Sequence, residues 1–161
     1  MVPMDEIFGS RLGLLLRRFG ERECAELAIR LLVTARRVDE GYNELLSTQD
    51  LSGGRFAALL AIEESPGTTP ARLAEVLEVK RATVTGLVDG LVKRELVERG
   101  SGSGDRRVQT LAATAAGRDR VREALPLVQN WLSGLVEGID LPKTRPALEK
   151  IHQNLSTLRE N

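Results

Sequence analysis

The sequence predicts a mainly α-helical fold that carries one small β-hairpin, and three observations predict it. Apolar residues recur at i, i+3 and i+4 along several long segments. Two short stretches suit paired strands, Leu96-Val97-Glu98-Arg99 and Val108-Gln109-Thr110-Leu111. Between them runs a flexible Gly100-Ser101-Gly102-Ser103-Gly104, longer than a tight turn needs. With 161 residues and 42% hydrophobic content, the chain can bury a core without staples.

The elements follow in order. Phe8, Leu12, Leu15, Leu16 and Phe19 make one helical stripe, and Cys24, Leu27, Leu31, Ala35, Val38, Tyr42 and Leu45 make a second, with Gly20 between them. Thr69-Pro70 opens a short helix, because the hydroxyl caps orphan N–H groups and proline loses no hydrogen bond at the first helical position. Leu73, Val76 and Leu77 are its apolar stripe, and Ala74 lets a second helix approach closely. The turn around Glu78-Val79-Lys80 is short enough to set two helices at a steep angle. The next helix spans Arg81 to Arg94 and buries Val84, Leu87, Val88 and Leu91. The hairpin follows, with Asp105-Arg106-Arg107 on its far side. Val121, Leu125, Val128, Trp131, Leu132 and Leu135 form a further stripe, which Pro126 kinks if the helix continues through it. Leu148, Ile151, Leu155 and Leu158 then keep a/d spacing.

Three regions result: N-terminal helices of a dimerisation region over 1–50, a helix-turn-helix with a wing over 51–117, and C-terminal dimerisation helices over 118–161. Four apolar stripes are more than the small middle region needs for its own core, which favours a dimer with interleaved chain ends. A monomer that packs the stripes internally is the alternative.

Formal net charge is zero. Residues 70–110 hold eight Arg or Lys against six acids, an excess of only two. A field this weak predicts modest non-specific affinity for a polyanion, leaving selectivity to specific contacts and dimer symmetry. The single Cys24 excludes an internal disulfide, and with one histidine there is no Cys/His cluster of metal-binding spacing. No cofactor is expected. No apolar run approaches the roughly 20 residues that cross a bilayer, and no signal-peptide pattern opens the chain. The cytoplasm is the expected compartment. Catalysis is not expected either: there is no nucleophile elbow, and the glycine-rich run joins strands and lacks the Lys-Ser/Thr of a phosphate loop.

Leu51-Ser-Gly-Gly-Arg-Phe56, Leu73-Ala74-Glu75, Arg81-Ala-Thr-Val-Thr-Gly-Leu-Val-Asp89, Val97-Glu-Arg99, Asp105-Arg-Arg107 and Thr114-Ala-Ala-Gly117 stand in one order over residues 27–120. This ordered set resembles the MarR family of winged-helix regulators. The resemblance implies a homodimeric transcription factor of bacteria or archaea that binds a palindromic operator in double-stranded DNA, often released by a small-molecule effector or an oxidant. Three positions depart from the family pattern. Glu78 replaces a common glycine, which carries strain if φ is positive. Lys80 replaces a capping serine and offers a phosphate contact instead. Gly90 replaces a frequent basic residue, at a cost of about 1 kcal/mol relative to alanine inside a helix.

The expected DNA-binding residues are Lys80, Arg81, Thr83 and Thr85 at the start of the second helix, and Arg106 and Arg107 on the wing. The helix residues would meet base edges or phosphates, and the wing arginines phosphates or a narrow minor groove. The alternative for the helix residues is a solvated face. For the wing, the resemblance implies one contact arginine and one paired with Asp105 as a structural wing residue, without saying which. Cys24 shares the apolar stripe with Leu27 and Leu31 near Glu21, Glu23 and Glu26, so packing is expected rather than thiolate chemistry. His152 reads as a surface or interface residue, and Trp131 and Tyr42 as core or dimer contacts. A winged helix turned protein-interaction module is the alternative function, favoured by the neutral charge and by Glu78 and Lys80.

Overall fold

The computed structural model describes residues 22–101 and 109–160. The first helical stripe, Phe8 to Phe19, and the wing residues Asp105, Arg106 and Arg107 lie outside the described residues. The elements are α1 (Arg22–Ser47), α2 (Gly53–Glu64), α3 (Pro70–Val76), α4 (Arg81–Val92), β1 (Val97–Ser101), β2 (Gln109–Ala113), α5 (Ala115–Leu135) and α6 (Leu141–Glu160). They fall into two compact units divided between Ala124 and Leu125, within α5.

In the first unit α2 is the central element, packed against α1, α3, α4 and β2. Ser52 starts it by accepting the Arg55 N–H at 3.4 Å, and the Gly53 N–H donates to Asn43 Oδ1 at 2.9 Å, tying the start of α2 to α1. Thr69 caps α3 by accepting the Arg72 N–H at 3.2 Å, with Pro70 at the first helical position as the sequence suggested. Leu59, Ile62, Leu73, Val84, Leu91 and Leu111 are fully buried at the centre.

Two expectations need correction. Val76 is 55% exposed, because seven-residue α3 turns only Leu73 and Ala74 inward before it ends. In α1, Cys24 is exposed and Leu27 is 59% exposed, whereas Ile29 and Leu46 are the buried positions. The line running back from Leu45 to Cys24 is therefore not packed at its N-terminal end within the single chain.

Three helical segments close in the same way. Asp50, Glu78 and Glu95 have φ of 55°, 53° and 59°. In each case the next N–H reaches the carbonyl five residues back, Leu51 to Leu46, Val79 to Ala74 and Leu96 to Leu91, each at 3.0 Å. This is the closure that glycine usually makes, since a Cβ is strained in the left-handed region. Here all three residues are acidic, and a carboxylate is also poorly placed at a helix C-terminus.

The hairpin is antiparallel with Val97 opposite Ala113 and Arg99 opposite Leu111. Its second strand ends two residues later than the sequence suggested, because the inward positions are Leu111 and Ala113, facing the core with Val97. Thr68 bridges the outer edge of β2: the Leu111 N–H donates to Thr68 O at 2.8 Å and the Gly67 N–H to Leu111 O at 2.9 Å. Thr114 joins the wing base to α5. Its Oγ1 accepts the Gly117 N–H at 3.0 Å and donates to Glu95 O at 2.7 Å, and a side chain at Gly117 would strike the Leu96 carbonyl.

Beyond Ala124, α5 runs through Pro126 without ending. Leu132 and Leu135 on it, and Leu148, Leu155 and Leu158 on α6, are exposed within the chain. His152 is exposed too.

Candidate nucleic-acid interface

Amphipathicity decides what α4 presents. Val84, Val88 and Leu91 are buried, so Arg81, Ala82, Thr83, Thr85, Gly86 and Asp89 are left exposed. Lys80 occupies the N-cap in extended conformation and makes no side-chain cap, as its chemistry predicts; only its carbonyl enters the helix, accepting the Thr83 N–H at 2.9 Å. Of the expected contact residues, Lys80, Arg81 and Thr83 thus stand together on open surface. Thr85 is exposed beside them with its hydroxyl already donating to Arg81 O at 3.1 Å, which leaves its oxygen able only to accept.

Ion pairing sorts the cations of residues 70–110. Arg72 bonds Glu75 at 2.8 Å, Arg94 bonds Asp50 at 3.0 Å, and Arg99 pairs with Asp89. Lys80, Arg81 and Lys93 have no acidic partner among the described residues, and all three are exposed. Pairing leaves Lys80, Arg81 and Lys93 on α4 and at its two ends, and it leaves the acids Glu78, Glu95 and Glu98 without an ion-pair partner among the described residues as well. The placement of Lys80 and Arg81 at the exposed start of α4, and not net charge, is therefore what favours an anion there.

Two of those pairs fix α4 in place. Arg99 on β1 reaches Asp89 on the exposed side of α4, so the wing strand and the helix hold one another. Arg94 binds Asp50 Oδ2 at 3.0 Å, the Asp50 carbonyl at 3.2 Å and the Gly90 carbonyl at 3.0 Å, locking the end of α4 to the turn after α1. The Arg94 hydrogen bond, then its charge, hold the Asp50 carboxyl below the usual carboxylate range. Sequence reasoning missed both pairings, since only the fold brings Asp50 to Arg94.

Gly90 also finds its reason here. A Cβ at this position would lie 2.6 Å from Arg55 Nε, so the α2 arginine lies where a side chain from α4 would begin. The space beside α4 at this position is thus taken by Arg55 of α2. Arg55 Nε is buried against it without a hydrogen-bond acceptor, a local cost.

The strands that carry Asp105, Arg106 and Arg107 are in place on either side of them, β1 ending at Ser101 and β2 beginning at Gln109. A hollow of about 140 Å³ lies between the end of α2 and α3, lined by Ala61, Glu64, Thr68, Arg72 and Val76 among others. That is below the roughly 300–1,000 Å³ of a typical small-molecule pocket. Among the described residues no group of acids, histidines or cysteine is arranged to hold a metal, and no helix is long and apolar enough to cross a membrane.

Comparison with known proteins meets this geometry. A family model described as MarR family matches residues 49–108. The transcriptional repressor MprA of Escherichia coli (strain K12) is 31% identical over 118 residues, covering 72% of this chain and 66% of its own length. The HTH-type transcriptional repressor YetL of Bacillus subtilis (strain 168) is 27% identical over 114 residues, covering 70% of this chain and 68% of its own. The chain thus spans about two thirds of the length of these curated relatives. Among solved structures, the transcriptional repressor CouR bound to a 23-mer DNA duplex superposes with a TM-score of 0.72 at 26% identity, over 86% of this chain and 99% of that one. The Mycobacterium tuberculosis regulator MosR in complex with DNA gives 0.65 at 25% identity, over 78% and 92%.

Proposed function

Since the chain belongs to the MarR family, we propose that it is a sequence-specific, DNA-binding transcriptional regulator that works as a homodimer on a palindromic operator. The observation that carries the reading is the exposed start of α4, where Lys80 and Arg81 stand beside Thr83 without an acidic partner among the described residues, while Arg72, Arg94 and Arg99 are paired. Two solved relatives are DNA complexes, which supports the same surface as the reading face. Each α4 enters a major groove, each wing flanks it, and the dimer sets half-sites about 34–36 Å apart, one DNA turn. That it represses is inferred from MprA and YetL, both named transcriptional repressors. The protein is not a catalyst in this reading and acts in the cytoplasm.

Lys80 and Arg81 take phosphates or base edges, Thr83 and Thr85 offer a hydroxyl oxygen and methyls to base edges, and Arg106 and Arg107 reach the backbone or minor groove. A small-molecule effector acts only through unequal affinity for DNA-competent and incompetent forms of the dimer.

The test is binding of the purified protein to its own upstream DNA over a salt series, with scrambled duplex as competitor. Tight, salt-sensitive, competitor-resistant binding is expected. Replacing Arg106 and Arg107 together by alanine should flatten the salt slope by up to about two units. Binding to every available duplex that scrambled DNA abolishes overturns the reading in favour of a protein-interaction module.

A further inference from the structure

Glycine inside a helix is costly relative to alanine, so each one calls for a reason. For most of the helical glycines the chain supplies it. Gly90 makes room for Arg55, Gly54 for Leu87 Cδ2 at 3.1 Å, and Gly117 for the Leu96 carbonyl. Gly86 is different: a Cβ built there meets nothing within 4 Å among the described residues, and φ does not lie in the left-handed region. Neither packing nor backbone geometry asks for glycine in the middle of α4.

At about 100° per residue, Gly86 stands roughly 200° round the helix from fully buried Val84. It is exposed at the crest of the outward face, with Ala82 one turn before it and Lys93 two turns after. Arg81 and Lys93, the exposed cations on either side of it, lack acidic partners among the described residues. Acidic Asp89 is the exception on this crest, and Arg99 neutralises it. A body that comes close to this face therefore meets bare helix backbone flanked by the exposed side chains of Arg81 and Lys93.

We propose that Gly86 is the point of closest approach between α4 and DNA, its missing side chain letting the helix seat at full depth in the major groove. The proposal rests on the DNA-binding reading above and adds a specificity-determining residue that donates no hydrogen bond. Close seating is what lets Arg81 and Thr83 reach base edges at hydrogen-bond distance. A methyl at position 86 lifts the helix from the groove floor and lengthens those contacts together. Gly134, in the second half of α5, is open in the same way. It stands one turn from Trp131, on a helix with exposed apolar side chains, where a second chain and not DNA would be the close neighbour.

Gly86→Ala separates this from a merely structural role, because stability and function move in opposite directions. The variant should melt roughly 2–4 °C higher, the shift expected from better helix propensity in a chain of this size. Its affinity for a duplex enriched by the wild-type protein from a randomised pool should fall about tenfold, the size of one lost base-pair contact. Affinity for scrambled duplex at low salt should not change, since that binding is made to phosphates. A variant that is more stable and binds the enriched duplex as well as the wild type overturns the proposal and leaves the DNA-binding reading intact. A wild-type protein that enriches no sequence overturns both.

Discussion

The stretch from Leu46 to Ala124 and the helices on either side of it use the same apolar alphabet to opposite ends. Except for Ile29 and Val128, every buried apolar residue among those described falls within that stretch. The large exposed ones fall outside it, on α1, the second half of α5, the connection that follows it and α6, apart from Val76 and Val79 beside the turn into α4. The winged-helix region closes its own core, with Leu59, Ile62 and Leu111 at zero exposure. The flanking helices keep helical periodicity but leave it uncovered, Leu158 being 72% exposed. Periodicity therefore signals that a face will be covered, without saying by which chain.

The contrast breaks most visibly by removing residues 146–161. The truncated chain should sediment as a monomer while its winged-helix region stays folded; a truncated protein that remains dimeric removes α6 from the interface. Next in size is Leu59→Ala, which should cost about 2–5 kcal/mol in chemical denaturation, as expected for a fully buried leucine. Leu155→Ala, on the uncovered face of α6, should leave dilute-solution stability nearly unchanged and instead weaken the concentration dependence of the melting midpoint. Equal costs for the two leucines would erase the distinction.

Within the self-contained region, Glu78→Gly should stabilise by about 1 kcal/mol, because it relieves a left-handed residue that bears a Cβ. A loss of stability would show that the Glu78 side chain does something that outweighs the strain. The smallest effect is the Asp50–Arg94 pair, since Asp50 is largely exposed. Its folded carboxyl titrates below the usual 3.8, so its contribution is complete above that value and is lost as pH falls through the lower folded one. The stability gap between wild type and Asp50→Asn should be constant near neutrality and close on acidification below about 3.8. A gap that persists into acid would assign the effect to the backbone turn instead.

Caps, turns and the stripe of α4 were legible because their causes are local. Thr69-Pro70, the acidic turn at Glu78 and the uncapped start at Lys80 all act within a few residues. The candidate site was legible to the same depth: Lys80, Arg81, Thr83 and Thr85 stand exposed where helical period puts them. Which cations are free to meet an anion was not legible, because Arg94 finds Asp50 and Arg99 finds Asp89 only through folding. The exposure of Cys24 escaped for a related reason, since an apolar stripe does not state which part of its length has a neighbour.

By itself the sequence determined the Thr69-Pro70 start of α3, the Arg81 start and outward face of α4, and the hairpin, all of which follow from i, i+3, i+4 spacing, strand pattern and local hydrogen-bond chemistry. It did not mark the central helix α2, whose near-continuous apolar run carries no clear helical period. Only the tertiary structure decided that Gly90 yields its space to Arg55 and that Gly86 yields its space to nothing among the described residues. Space around a residue is a property of elements far apart in sequence, and no local signal carries it.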